Sequence, residues 1–223
     1  TLHYLNIAGT NLTSEGIRQL QEFSEFRTLI LTRTAFDDEG LKALARLPNL
    51  QTLDVGYTKV TDAGLQLLTS FPHLEVLYSY GNPIGDQGLA HLGDLKQLKL
   101  LEIHQSGPVY TDRGIQHFGN LHKLRTLALT GKEITDKSVI LLANSCPELQ
   151  HLYLPQTSIT NSGIAALAKF SQLTVLDING TPVTDEAANA FGQLKSLVQL
   201  NINKTEITPA GVSEIQLSVR TLQ

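Results

Sequence analysis

The chain contains one cysteine, Cys146, in 223 residues, which excludes an internal disulfide and any zinc site built from several cysteines. No apolar run approaches the roughly 18 residues that span a bilayer, and no charged-then-apolar leader precedes Thr1. Charge of one sign is also scarce: 17 Lys and Arg against 21 Asp and Glu leave a net charge of -4. No Lys/Arg cluster offers the basic stripe that neutralises phosphates, so nucleic acid is not expected as a partner. P-loop, G-x-G-x-x-G, H-E-x-x-H and G-x-S-x-G motifs are all missing. No catalytic group, cofactor or metal site is therefore expected.

What the chain does have is a period. The spacing L-x-x-L-x-L at Leu2, Leu5 and Ile7 returns 24 residues later at Phe26, Leu29 and Leu31, and continues to a ninth copy at Leu197, Leu200 and Ile202. Two aliphatic residues flanking an outward one fit a short strand that buries alternate side chains. A polar residue, an apolar one, T-D-x-G and an aliphatic run follow in fixed phase, as at Thr58, Val60, Thr61, Asp62, Gly64, Leu65 and Leu68. Thr or Asp there supplies a helix N-cap, the acidic residue suits the helix dipole, and the aliphatics form one inward face. Each copy is thus predicted to be strand, turn, helix and return loop. Such a unit cannot bury its own apolar face, so stacked copies must share a core. The expected fold is α/β: a right-handed solenoid with a parallel concave sheet and convex helices.

This pattern resembles the leucine-rich-repeat family over essentially the whole chain. The run Leu142, Ala143, Asn144, Ser145, Cys146, Pro147, Glu148, Leu149 looks most like the cysteine-containing class, although Leu47 and Phe71 replace the cysteine elsewhere. That resemblance implies a non-catalytic protein-binding scaffold. It also implies the alternative of a substrate-recruiting segment of a larger enzyme, as in ubiquitin-ligase substrate receptors and bacterial repeat proteins. The pattern is already in phase at Leu2, there is no initiating Met, and neither end carries a polar cap. Residues 1–223 are accordingly read as one nine-repeat domain of a longer protein.

The row Asp38, Asp62, Asp86, Asp112, Asp136 and Asp185 could suggest calcium, but its place at each helix start favours capping. The polar ladder Thr10, Thr34, Thr58, Asn82, Ser106, Thr157, Thr181 and Thr205 is expected to satisfy backbone groups in the turns. Three N-x-T sequons, at Asn11, Asn179 and Asn203, are expected to arise from the repeat template, since in the last two the Thr is the ladder residue itself. Cys146 is expected to be a buried structural thiol.

The concave positions should carry the function, because the fold does not dictate them. The central row reads Asn6, Ile30, Asp54, Tyr78, Glu102, Ala128, Tyr153, Asp177, Asn201, and the row two residues further includes Tyr80 and His104. With about 6.6 Å between alternate residues and 4.8 Å between strands, Tyr78, Tyr80, Glu102 and His104 should form one patch that Tyr57, His151 and Tyr153 extend. These seven residues are the candidate protein- or peptide-binding site, because tyrosine gives large contact area at little entropic cost. Glu102 beside His104 also has the look of an acid–base pair, but no nucleophile or metal set accompanies it. Two irregularities near mid-array point the same way: the two-residue insertion within Gln105 to Tyr110, and Ser79 in place of a strand aliphatic.

Overall fold

A computed structural model of the chain describes residues 2–22, 25–104 and 109–219. Nine short strands form one sheet in chain order: β1 (Tyr4–Asn6), β2 (Thr28–Ile30), β3 (Thr52–Asp54), β4 (Val76–Tyr78), β5 (Leu100–Ile103), β6 (Thr126–Leu129), β7 (His151–Tyr153), β8 (Val175–Asp177) and β9 (Gln199–Asn201). Every neighbouring pair is parallel. The register aligns Leu5, Leu29, Leu53, Leu77, Leu101, Leu127, Leu152, Leu176 and Leu200, so the predicted strand centres are the observed ones.

The central leucines from Leu29 to Leu176 are fully buried, while Leu5 and Leu200 in the outer strands are half-buried. They pack against the inward faces of the helices, as at Leu65 and Leu68, Leu89 and Leu92, and Val139 and Leu142, in one continuous core. Helices are short. Several stop after one or two turns and finish as a 3-10 turn, as where Asp62–Gln66 runs into Leu67–Ser70 and Asp112–Ile115 into Gln116–Asn120. Among the described residues the longest, Asp136–Ser145 and Pro209–Ser218, run ten residues. Cys146, at the C-terminus of the helix Asp136–Ser145, is wholly buried, and burial pushes its thiol up to about 12, so it stays protonated.

The acidic row does something other than capping. Caps come from the preceding residue: Thr61, Thr111, Thr135 and Thr160 each accept from an N–H in the first turn. The aspartate that follows turns toward the next repeat. Asp38 accepts from the Thr61 N–H and hydroxyl at 2.9 and 2.6 Å, and Asp112 likewise from Thr135 at 2.9 and 2.6 Å. Asp86, Asp136 and Asp185 clamp Thr111, Thr160 and Thr208 in the same way. The row is an inter-repeat clasp, each carboxylate bonding a cap 23 to 25 residues on. Among the described residues no group of His, Cys, Asp and Glu could hold a metal ion.

Acid stability follows from these bonds. Burial pulls the Asp112 carboxyl up, but the Ser138 and Thr135 donors outweigh it and hold it below the ordinary carboxylate range. The Ser14 hydroxyl lowers Asp37, and Thr208 lowers Asp185. A folded-state value below the unfolded one gives stability that is full above about pH 4 and is lost as pH falls through the folded value. Asp112→Asn should therefore make denaturation midpoints less steeply pH-dependent below pH 4. Asn161 already makes this clasp with Thr184 in the seventh repeat, at 3.0 and 2.8 Å, so the amide is tolerated. An unchanged acid slope would contradict the clasp.

The polar ladder behaves as expected. Thr34, Thr58, Thr157, Thr181 and Thr205 each donate to the carbonyl three residues back, at 2.7 to 2.9 Å. Ser79, and Tyr110 at the end of the insertion, take part in turn hydrogen bonds. Ser79 is buried at the inward strand position, and Asn82, the ladder residue of its repeat, satisfies it by donating at 3.2 Å. Asn82 also donates to the Val55 carbonyl and accepts the Thr58 N–H, both at 2.8 Å, tying two successive turns together.

Most of the insertion, Gln105 to Pro108, lies outside the described residues, as does the ladder residue Ser106. Its last residue, Tyr110, is fully buried and donates to the Ile103 carbonyl at 3.0 Å, the bond that ladder threonines make in other repeats. It also accepts the Thr130 N–H at 3.0 Å, and burial pushes its phenol up to about 12. Tyr110→Phe keeps the ring but removes both bonds, and should cost about 1 to 3 kcal/mol in chemical denaturation. A loss near zero would show that the hydroxyl is not needed there. Ser79 thus has a structural role in its turn, as does Tyr110 at the end of the insertion.

Candidate functional site

All seven candidate residues lie on one surface. Tyr78 and Tyr80 stand two apart along β4 and its extension, with ring centroids 6.4 Å apart in an edge-to-face arrangement. Tyr57, from the turn after β3, meets Tyr80 at 5.4 Å, also edge-to-face. The His104 ring lies 6.2 Å from Tyr80, and its Nε2 is 3.3 Å from Oε1 of Glu102. Such aromatic pairs contribute about 0.5 to 1.5 kcal/mol beyond area burial.

Glycines set this cluster in place. A Cβ on Gly56 would sit 2.4 Å from the Tyr80 ring, and one on Gly81 would sit 2.2 Å from the Tyr57 ring. Each tyrosine thus lies across a neighbouring strand end where only hydrogen leaves room. Tyr57 has φ of 51°, a left-handed conformation that bulky residues seldom adopt. The corresponding turn position is glycine at Gly9, Gly81, Gly131 and Gly180. Arg33 covers the other side of the Tyr57 ring at 5.2 Å from its centroid. The Tyr80 hydroxyl donates to Asp54 at 3.2 Å. Burial, with the Glu102 and Asp54 charges adding to it, raises the Tyr78 phenol, and burial raises that of Tyr80, so both are neutral near pH 7.

The remaining two candidates sit across a hollow. A cavity of about 460 Å³ is floored by Leu100, Thr126 and Ala128, with Glu102 and His104 on one side and His151, Tyr153 and Asp177 on the other. Nδ1 of His151 is 3.2 Å from the Thr126 hydroxyl. Glu102, Ala128, Tyr153 and Asp177 are in register on successive strands, so the hollow exists because Ala128 ends at Cβ between larger neighbours. A second hollow, of about 430 Å³, lies on the other side of the tyrosines and is lined by Ala8, Thr32 and Arg33.

Ala128, Arg33 and Asp177 were not singled out by pattern, though Ala128 was readable as the smallest residue in the central row. One expectation about that row needs correcting. Asn6, Asp54, Asp177 and Asn201 each accept the N–H two residues on, at 2.8 to 3.1 Å, and so end their strands. At those four positions the fold does use the concave residue. No such role attaches to Tyr78, Glu102 or Tyr153.

A stacked parallel sheet with one short strand and one short helix per repeat defines a class of solenoid that presents an open concave face. The chain belongs to the leucine-rich-repeat family: the family model for a leucine-rich repeat region matches residues 1–218. Internalin C2 of Listeria monocytogenes str. 4b F2365 shares the fold with a TM-score of 0.66 at 19% identity, over 95% of this chain and 84% of that one. The Arabidopsis receptor kinase HAESA, solved with the peptide hormone IDA and the co-receptor SERK1, aligns with a TM-score of 0.62 at 15% identity, over 92% of this chain and 39% of that one. Comparison with curated protein sequences found no match. No helix among the described residues is long and apolar enough to cross a membrane.

Proposed function

We propose that this chain is a non-catalytic scaffold that holds a protein or peptide partner on its concave sheet, with Tyr57, Tyr78, Tyr80, Glu102, His104, His151 and Tyr153 as the contact surface. The observation that carries this reading is the contiguous tyrosine cluster, preset by Gly56 and Gly81 and flanked by two hollows. Rigid aromatic side chains already in place lose little entropy on binding. Nine strands at about 4.8 Å make a face near 40 Å long, enough for roughly 800 Å² per partner. HAESA, of the same fold, was solved with a peptide hormone. Neither nucleic acid nor a cofactor has a place in this reading, and the nine repeats act as one domain.

A second reading, a substrate-recruiting segment of a larger enzyme such as a ubiquitin-ligase receptor, is favoured by the Leu142 to Leu149 run with its buried Cys146. The two readings share the surface and differ in what adjoins it. Affinity capture with the chain as bait, followed by identification of the captured protein, tests the surface. Recovery should depend on the concave tyrosines and not on Lys169, which faces out on the helical side. Equal recovery by a concave-face variant and the wild type would overturn the proposal.

A further inference from the structure

We infer that the segment held by the concave face is basic and extended, with an arginine or lysine side chain lying over Ala128 in the hollow between Glu102 and Asp177. This rests on the binding reading above and specifies its partner. The concave face consists of three rows of nine residues, those in phase with Thr28, Ile30 and Thr32. These rows hold three carboxylates, Asp54, Glu102 and Asp177, and no lysine or arginine; Arg33, in the turn after β2 and over the Tyr57 ring, lies just outside them. At the chain's overall frequency of 17 in 223, the twenty-seven positions would hold about two.

None of the three carboxylates has a lysine or arginine partner among the described residues; the ion pairs made by those residues, such as Lys99 with Glu75 and Arg125 with Glu148, lie off these rows. Neutral donors hold two of the carboxylates instead. Asp54 accepts from the Gly56 N–H and the Tyr80 hydroxyl, and Asp177 from the Asn179 N–H and the Asn201 amide. Among the described residues the ion-pair partner of Glu102 is His104, which is a counter-charge only when protonated. Among the described residues the half-buried carboxylates Glu102 and Asp177 and the buried Asp54 thus have no basic side chain as counter-charge, and a cationic partner supplies the complement.

The hollow suits such a side chain in shape as well. Leu100, Thr126 and Ala128 give a floor for an aliphatic stem, and Tyr153 gives a ring face for a guanidinium. Glu102 and Asp177 are three strands apart, about 14 Å at 4.8 Å per strand, too far for one cation to pair with both. An extended segment crossing the strands at about 3.3 Å per residue meets both with basic residues roughly four positions apart.

The test uses hexa-arginine amide and a hexaglutamate peptide, titrated calorimetrically at low salt into the wild-type chain and two double variants. E102Q with D177N removes the concave charges. E39Q with E214Q removes the same net charge from the helical side. The first should keep its fold, because glutamine preserves the size of Glu102 and Asn6 and Asn201 already make the turn bond of Asp177. Hexa-arginine should bind the wild type, weaken about 10-fold or more against the concave double variant, and change less than 2-fold against the other. Hexaglutamate should not bind. No binding of hexa-arginine, equal weakening by both variants, or a preference for hexaglutamate would overturn the inference. A captured partner that is lost with Tyr80→Ala but indifferent to E102Q with D177N would overturn the basic segment alone. A partner indifferent to both sets of changes would remove the concave-face reading itself.

Discussion

Tyr80→Ala is expected to weaken binding of the captured partner by about 2 kcal/mol or more, near 30-fold, while Lys169→Ala changes it little. Tyr80 sits at the junction of the site: its ring meets Tyr57, Tyr78 and His104, and its hydroxyl meets Asp54. Truncation removes a central aromatic and frees its neighbours from the arrangement the glycines impose. Central residues excluded from water carry most of the binding energy in protein interfaces. Tyr80→Phe separates ring from hydroxyl: it should keep most of the affinity if the ring packs on the partner, and lose it if the Asp54 bond is what presets the site. Calorimetric titration of the three variants reads this directly. Equal affinity for wild type and Tyr80→Ala would move the binding surface off the concave centre.

The second large effect is on stability. Leu101 is fully buried in β5, in register between Leu77 and Leu127. Leu101→Ala should cost about 2 to 5 kcal/mol through lost burial and the cavity left behind. Each repeat contacts chiefly its neighbours, so a defect in the fifth of nine weakens the coupling between the two halves of the array. Glu102, the next residue, points outward and is half-exposed. Glu102→Ala should stay within about 0.5 kcal/mol. Chemical denaturation of the pair fixes the strand phase, and the reverse ranking would contradict it.

The strands, their register and the core were legible in the sequence because one leucine spacing repeats nine times, and a period of two within each copy leaves a single choice of buried face. The seven concave candidates followed from that phase and plain strand geometry. What escaped the pattern depended on partners far along the chain. The aspartate row has cap positions and cap chemistry, yet five of its six carboxylates bond a threonine in the next repeat and Asp62 the Gly85 N–H, which no local rule reveals. Ser79 and the insertion ending at Tyr110 point to function when read from sequence, whereas Asn82 donates to Ser79 and the Tyr110 hydroxyl makes the bond of a ladder threonine. The hollow over Ala128 is a matter of what stands on either side of a small residue, and that needs the register of four strands.

The central claim is that the concave face is the binding surface, and hydroxyl-radical footprinting of the chain with and without its captured partner tests it most directly. The account predicts that Tyr78, Tyr80 and Tyr153 become protected together, while Ile140 on the outward side of the helix Asp136–Ser145 reacts as before. Protection of Ile140 with the three tyrosines unchanged would contradict it.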